Sequence, residues 1–470
     1  MKREAWLIGL LMAALAAALY HFNHPPDEFH EWRYTETLMN AASYGQGADW
    51  LAPWVNWYGA VPRVAIVEFP LYQILAYLLS HLTSDLLVAA RLVSLASIGA
   101  SVFVFDRICA LRGHPRRRVA TVLFALTPLV IFQAHDPQPE ALMLLTTLLA
   151  VYCALRAVAG GLEWAFGAIL FLSVAATIKP TALVVVFPPL VYLALTRGFR
   201  ARMASIVAVA GIAVVLWALY ARSVDLAWSA DYFRVNASQL TLTPLLRFDP
   251  YFYQTLGQRA ALLLLPPLFV GLVLSRAALR GDRLWWCWVA GSVIAIETFP
   301  ALMQGHFYYQ VPFIPALAAL AAYGAPAWPR RSVLRFGAAA AVVAATVTSL
   351  AGLFVENPIR VHAGRALAAV ATPGRPVLVL SSLEPYYFPA VLYYSGHPGW
   401  VMSAFTSEEA INQLERPVPC EMVMVFDGPA PPTLPTGWRE VTRTAEYVLG
   451  VRSAQSASGP NTSGCPETGG

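Results

Sequence analysis

About eleven apolar stretches, each about 17 to 25 residues long and so matched to the hydrocarbon thickness of a bilayer, fill most of the first 354 positions. They lie near 5–22, 88–110, 118–134, 140–157, 164–178, 181–197, 203–221, 260–275, 284–300, 309–328 and 333–354. In lipid no water satisfies backbone N–H and C=O groups, so stretches of this length are read as helices that bond internally. Composition agrees. The chain is 58% hydrophobic and 13% charged, where a soluble chain carries roughly 25% charge, and this excludes a soluble globule or a largely disordered chain. The 35 prolines and 30 glycines are compatible with bundled membrane helices, whose neighbours re-satisfy freed backbone groups. Five cysteines, Cys109, Cys153, Cys287, Cys420 and Cys465, show no metal-ligand spacing and suggest neither a disulfide scaffold nor a zinc knuckle.

Charge sets the orientation. With the amino terminus in the cytoplasm, alternate connections carry Arg112, Arg116, Arg117, Arg197, Arg200, Arg202, Arg276, Arg280, Arg283, Arg330, Arg331 and Arg335 on the inner side. The net charge of +5 therefore reflects topology, and no nucleic-acid partner is expected. Most carboxylates before residue 355 fall on the outer side, and Glu31, Glu68, Asp136, Glu140 and Glu297 lie among aromatics and prolines at span ends. A charge is unfavourable there by up to about 3 kcal/mol at full depth, so an outer pocket is a better account than a solvated rim.

Two outer loops, about 23–87 and 222–258, are longer than ordinary connections. The first contains amphipathic pieces at 34–44 and 69–82, expected to lie as interfacial helices on the membrane surface. Beyond residue 354 the pattern changes to strand-like runs at Val377–Leu380, Met422–Phe426 and Tyr447–Val451 around a helical stretch near 407–414. The expected fold is an α-helical polytopic membrane protein of about eleven spans (1–354) with a small outer α/β domain (355–452) and a disordered tail (453–470).

Several clusters carry chemistry. Asp27, Glu28, His30, Glu31, Arg33 and Glu36 crowd the start of the first outer loop, where a salt-bridged loop is the structural alternative to an acid–base site. Asp49 follows in Gly47-Ala48-Asp49-Trp50-Leu51-Ala52-Pro53, and Glu68 in Val67-Glu68-Phe69-Pro70-Leu71, where helix capping is the alternative. Asp136 and Glu140 flank an outer turn. Lys179, with Lys2 one of two lysines in the chain, stands between two spans and either snorkels to the interface or meets a buried anion.

The order of these motifs resembles the membrane-embedded GT-C glycosyltransferases, in particular bacterial relatives of dolichyl-phosphate-mannose protein mannosyltransferases and of the lipid A aminoarabinose transferase. The resemblance rests on Glu31-x-Arg33-Tyr34, Gly47-Ala48-Asp49-Trp50-x-x-Pro53, Glu68-Phe69-Pro70-Leu71 and Ala90-Arg91-Leu92-Val93-Ser94, and covers residues 1–200 best. It departs at His30, where relatives carry the presumed basic Asp, and at Phe69, where they carry Lys.

The resemblance implies a bacterial inner-membrane enzyme that moves a sugar from a polyprenyl-phosphate donor to a lipid, glycan or protein acceptor at the outer face, with inversion. Its catalytic residues are then Glu31, with Asp27, Glu28 or His30 as alternatives. Its substrate-binding residues are Arg33, Asp49, Glu68, Asp136, Glu140, Lys179, Arg259 and Tyr309. A divalent metal at Glu68 and His306 is the one cofactor such relatives suggest, with a hydrogen-bonded interfacial histidine as the favoured alternative at His306. A transporter or flippase is the rival class, but the inverted repeats usual there are not evident.

Overall fold

The computed structural model describes the chain except for residues 1–4, 26–30, 58, 65, 67, 198–199, 229–243, 265–274, 325–331, 352, 355–357, 383–388, 413, 415–418, 427–432 and 453–470. Two compact units emerge: Met1–Asn23, Ile66–Ser223 and Asp231–Leu353 form the first, and His24–Ala65, Val224–Ala230 and Phe354–Gly470 the second. The early segment 24–65, which the sequence grouped with the spans, belongs with the carboxy-terminal part.

The first unit is helical. Its helices are α1 (Ala5–Ala18), then α3 (Leu71–Thr83), α4 (Leu86–Leu111), α5 (Arg117–Ala125), α6 (Pro128–His135), α7 (Glu140–Ala159), α8 (Leu162–Ile178), α9 (Pro180–Arg197) and α10 (Arg200–Trp228). They are followed by α11 (Pro250–Arg259), α12 (Arg283–Thr298), α13 (Ile314–Gly324) and α14 (Ser332–Ala351). Among the described residues, α4, α7 and α10 are long and apolar enough to cross a bilayer, and the pair α5/α6, bent by 56°, adds a fourth when counted as one broken span. Helices α1, α8 and α9 are apolar but shorter. The expected total of about eleven spans is therefore not reached on length alone, and the stretch 260–275 lies mostly outside the described residues.

Proline explains the bend and the close approach of a glycine to a second helix. Pro128 has no N–H for the Phe124 carbonyl, which instead accepts from the Thr127 N–H at 3.2 Å, and the Leu126 carbonyl accepts from Thr346 Oγ1 at 3.0 Å. In α9, Pro188 and Pro189 lie inside the helix, and Pro189 leaves the Val185 carbonyl without its usual donor. Gly291 of α12 sits against that carbonyl so closely that a Cβ there would lie 2.0 Å from its oxygen. Small residues allow such backbone approach between helices in lipid.

The second unit begins with α2 (Glu31–Ser43) and a two-residue antiparallel pair, β1 (Trp54–Val55) and β2 (Arg63–Val64). Helix α2 is enclosed by protein, with Tyr34, Leu38, Glu31, Arg33 and Glu36 all buried, which does not fit the surface placement expected for residues 34–44. By contrast α3 keeps Leu78 and Leu82 exposed, as an interfacial helix does.

After α15 (Ile359–Val370), a five-stranded sheet forms from β3 (Val377–Ser381), β4 (Gly399–Ser403), β5 (Glu421–Val425), β6 (Trp438–Arg443) and β7 (Tyr447–Arg452), in the order β4-β3-β5-β7-β6. Strand β3 pairs in parallel with β4 and β5, while β7 runs antiparallel to β5 and β6. Leu378, Leu380, Met422 and Met424 form its core with Ile411. Backbone bonds tie segment 24–65 into this unit: Gly59 N–H donates to the Gly399 carbonyl and Gly399 N–H to the Asn56 carbonyl. Cys420 is disulfide-bonded, whereas Cys109, Cys153 and Cys287 are free. This corrects the sequence reading, which gave cysteine no structural part: spacing along the chain carries no information about a pair joined through space.

Candidate active site

Four segments of the first unit converge on Lys179. It occupies the break between α8 and α9, its N–H donating to the Ala175 carbonyl and its carbonyl accepting from Ala182, so Pro180 can start a new helix without loss. Its ammonium lies 3.1 Å from Glu68 Oε2 and 3.2 Å from Glu140 Oε1, and it donates to the Tyr309 hydroxyl at 3.4 Å. Lys179 is 7% exposed, Glu68 8% and Glu140 0%. The lysine therefore does not snorkel. An isolated ammonium at this depth would be costly, and the paired carboxylates compensate it.

The surroundings hold these groups in place. Glu140 opens α7 directly after Pro139, where the helix dipole favours a carboxylate. Glu68 Oε1 accepts from Gln73 Nε2 at 3.1 Å, and the Phe69 N–H donates to the Thr177 carbonyl at 3.1 Å, which pins the Glu68 segment beside the end of α8. The rings of Tyr309 and Tyr308 lie 4.8 Å and 5.7 Å from the ammonium, a cation–π arrangement. His306 stacks on Tyr308 with ring centroids 5.2 Å apart.

A second layer of buried polar groups supports the same end of the bundle. Asp136 accepts from Gln133 Nε2 at 3.1 Å, and its carbonyl takes the Ser94 hydroxyl. Tyr72 donates to the Ala90 carbonyl at 2.7 Å and lies 2.9 Å from Ser94 Oγ. Arg91, fully buried, donates to the Phe22 carbonyl at 2.7 Å and to that of His21 at 3.1 Å. The Arg91 and Ser94 of the quoted motif thus join α4 to the end of α1, to α3 and to the turn before α7. Arg259 donates to the carbonyls of Met303 and Gln304, anchoring the segment that leads to His306.

The remaining sequence-predicted residues belong to the second unit. Glu31, the first residue of α2, meets Arg360 of α15, with Oε2 2.6 Å from the guanidinium. Arg33 pairs with Glu36 at 2.9 Å. Asp49 is exposed and accepts the Leu51 N–H at 2.8 Å, a local turn bond. Asp27, Glu28 and His30 lie outside the described residues. The sequence reading missed Arg360, Gln73 and Tyr308. Nothing local marks Arg360, whereas Gln73 one helical turn beyond Glu68 and Tyr308 beside Tyr309 were within reach of a spacing argument.

For a metal, Glu68 offers a carboxylate already committed to an ammonium. Among the described residues no group of three or more His, Cys, Asp or Glu side chains is arranged to hold one. The cation at the centre of the cluster is Lys179.

Residues 67–223 match the family model described as dolichyl-phosphate-mannose-protein mannosyltransferase. In fold, the chain is similar to ArnT from Cupriavidus metallidurans in a crystal structure bound to undecaprenyl phosphate, with a TM-score of 0.65, 16% identity, and coverage of 96% of this chain and 98% of that one. The apo structure of that protein gives a TM-score of 0.64 at 16% identity over 97% and 99%. The family match spans about a third of the chain, and the structural likeness, at 16% identity, shows a shared fold. A third similar structure is the Archaeoglobus fulgidus oligosaccharyltransferase in complex with Zn and sulfate, at a TM-score of 0.56 and 11% identity over 88% of this chain and 67% of that one. No curated protein matches at the level of sequence.

Proposed function

We propose that this chain is a GT-C glycosyltransferase that moves a sugar from a polyprenyl-phosphate donor to an acceptor at the outer face of a bacterial inner membrane, with inversion at the anomeric carbon. The observation that carries the reading is the buried cluster of Lys179, Glu68, Glu140 and Tyr309, the first three of which lie within the stretch that matches the mannosyltransferase family model. The undecaprenyl phosphate in the similar ArnT structure supports the donor class.

The acceptor hydroxyl attacks the anomeric carbon, the bond from that carbon to the phosphate oxygen breaks, and the phosphate departs with the electron pair. The acceptor proton passes to a carboxylate, Glu31 by first choice and Asp27 or Glu28 otherwise. Lys179 serves the departing phosphate. Its two carboxylates keep it charged in a dry setting, and a charge fixed in place before the reaction needs no reorganisation as negative charge develops. Glu68, Glu140 and Asp136 also supply acceptors for sugar hydroxyls, and Tyr308 and Tyr309 an aromatic face. Arg33, Asp49 and Arg259 act as positioning residues in this scheme. The disulfide at Cys420 supports an oxidising, outer location for the second unit, with the amino terminus in the cytoplasm.

Lipid extracts of cells lacking the protein, analysed by mass spectrometry, test the reading. A polyprenyl-phosphate sugar accumulates and disappears again when the wild-type chain, but not Glu31→Gln, is restored. Absence of any accumulating lipid-linked sugar overturns the donor assignment, and full rescue by Glu31→Gln moves the base to Asp27 or Glu28.

A further inference from the structure

Four glutamines gather at the Lys179 end of the first unit, and their amides are not used up by the protein. The Gln73 amide nitrogen donates to Glu68 Oε1 at 3.1 Å, and that of Gln133 to Asp136 Oδ2 at 3.1 Å. A carboxylate only accepts, so the nitrogen is fixed as the donor and the amide oxygen is turned away from the charge. Among the described residues, neither of these oxygens has a hydrogen-bond partner. Gln138 and Gln310, 0% and 2% exposed, lack a partner at both the oxygen and the nitrogen of the amide.

Local geometry brings them to one place. Gln133 lies on the last turn of α6, and its bond to Asp136 aims the amide past the helix end, where Asp136-Pro137-Gln138 leads into Glu140. Gln310 belongs to the 3₁₀ helix Phe307–Phe313, in which residues three apart share a face. Phe307 lies on that face, and its ring meets that of Phe132 in α6 with centroids 5.6 Å apart, so Gln310 is turned to the same helix. Its neighbour Tyr309 meets Lys179, Lys179 binds Glu140 and Glu68, and Glu68 holds Gln73.

The set offers four amide oxygens and two NH₂ groups, all uncharged, at a depth where leaving them unpaired is costly. An ionised phosphate or carboxylate has no hydrogen to give and would set its own oxygens against the four. An ammonium gives hydrogens but has no lone pair for the NH₂ groups. A hydroxyl does both. We infer that Gln73, Gln133, Gln138 and Gln310 form the subsite that reads the hydroxyl groups of the transferred sugar, and that this sugar is uncharged. The inference rests on the donor class proposed above and adds to it the chemical class of the group that moves.

Titration of the full-length protein in nanodiscs, read by native mass spectrometry, tests this. The probes are undecaprenyl phosphate and its conjugates with glucose, mannose, galactose, glucosamine and glucuronic acid. At least one of the neutral hexose conjugates is expected to bind about tenfold or more tightly than undecaprenyl phosphate, the gain from a pair of new hydrogen bonds, and more tightly than either charged conjugate. Gln138→Met and Gln310→Met keep the shape and remove the amide. They are expected to abolish that gain while affinity for undecaprenyl phosphate is kept and the melting temperature is unchanged or raised. No gain for any hexose in the wild type, tightest binding of a charged sugar, or full gain in both variants overturns the subsite. A loss of undecaprenyl phosphate affinity in the variants equal to that for the hexose conjugate also overturns it, since the amides then only support the fold. Failure of undecaprenyl phosphate and every conjugate to bind the wild type overturns the donor assignment itself, and the subsite with it.

Discussion

Lys179 turns an ambiguous residue into a decisive one, because removing it leaves two carboxylates buried without their cation. Lys179→Met is expected to cost about 3–5 kcal/mol of stability, the usual penalty for breaking a buried ion pair. Adding Glu140→Gln restores the original net charge of the cluster, so the double variant recovers thermal stability in detergent while sugar transfer stays absent. Recovery of both would show that the ammonium only balances charge. His114 offers a second prediction at this scale. Burial is the main cause that holds its imidazole below its usual value; the carbonyl of Ala319 and the charge of Asp282 oppose this, and Arg116 adds to it. The folded chain thus binds this proton more weakly than the unfolded chain does. Its contribution to stability is complete above the unfolded value of about 6.5 and erodes as the pH falls below it. Thermal unfolding between neutral and mildly acidic pH tests this: the wild type loses more on acidification than His114→Gln does.

Among the elements, α9 and α12 make the sharpest prediction. Gly291→Ala drives a methyl group into the Val185 carbonyl and is expected to destabilise by about 1–3 kcal/mol, the range for overpacking, whereas alanine at the open position Gly99 is neutral or better. Detergent melting curves of the two variants provide the comparison. This contrast also shows what the sequence could reveal. The long helices were legible because a bilayer demands unbroken apolar runs, and α4, α7 and the bent α5/α6 pair fall where hydropathy put them. Strands β3, β5 and β7 were legible from their apolar runs. Strand β4, Gly-Trp-Val-Met-Ser, and β6, Trp-Arg-Glu-Val-Thr-Arg, were not, since β6 is largely exposed and carries little apolar content. The candidate site divides in the same way. Lys179, Glu68, Glu140 and Tyr309 stood out as charges and aromatics at span ends, but their meeting at one point depends on packing that no spacing rule encodes. Arg360 lies 329 residues from Glu31 in the chain and carries no local signal at all.

For the whole molecule, the consequence is one of assembly order. The second unit is made mainly from an early segment, His24–Ala65, and a late one, Phe354–Gly470, with the short piece Val224–Ala230 between them in sequence. A chain ending at Leu353 lacks Arg360 for Glu31 and Gly399 for the backbone of Asn56 and Gly59. Limited proteolysis of that truncated chain is expected to cut within 24–65 while the helices of the first unit stay protected. Equal protection of 24–65 in the truncated and full-length chains would refute this dependence. During synthesis the ribosome meets the same situation in every molecule it makes. The early loop emerges, and the bundle threads into the membrane behind it. All that while Glu31 waits, hydrated and unlatched, for an arginine not yet translated. With Glu31 as the proposed base, a stalled or prematurely ended translation product leaves in the membrane a bundle that lacks the arginine latching that carboxylate.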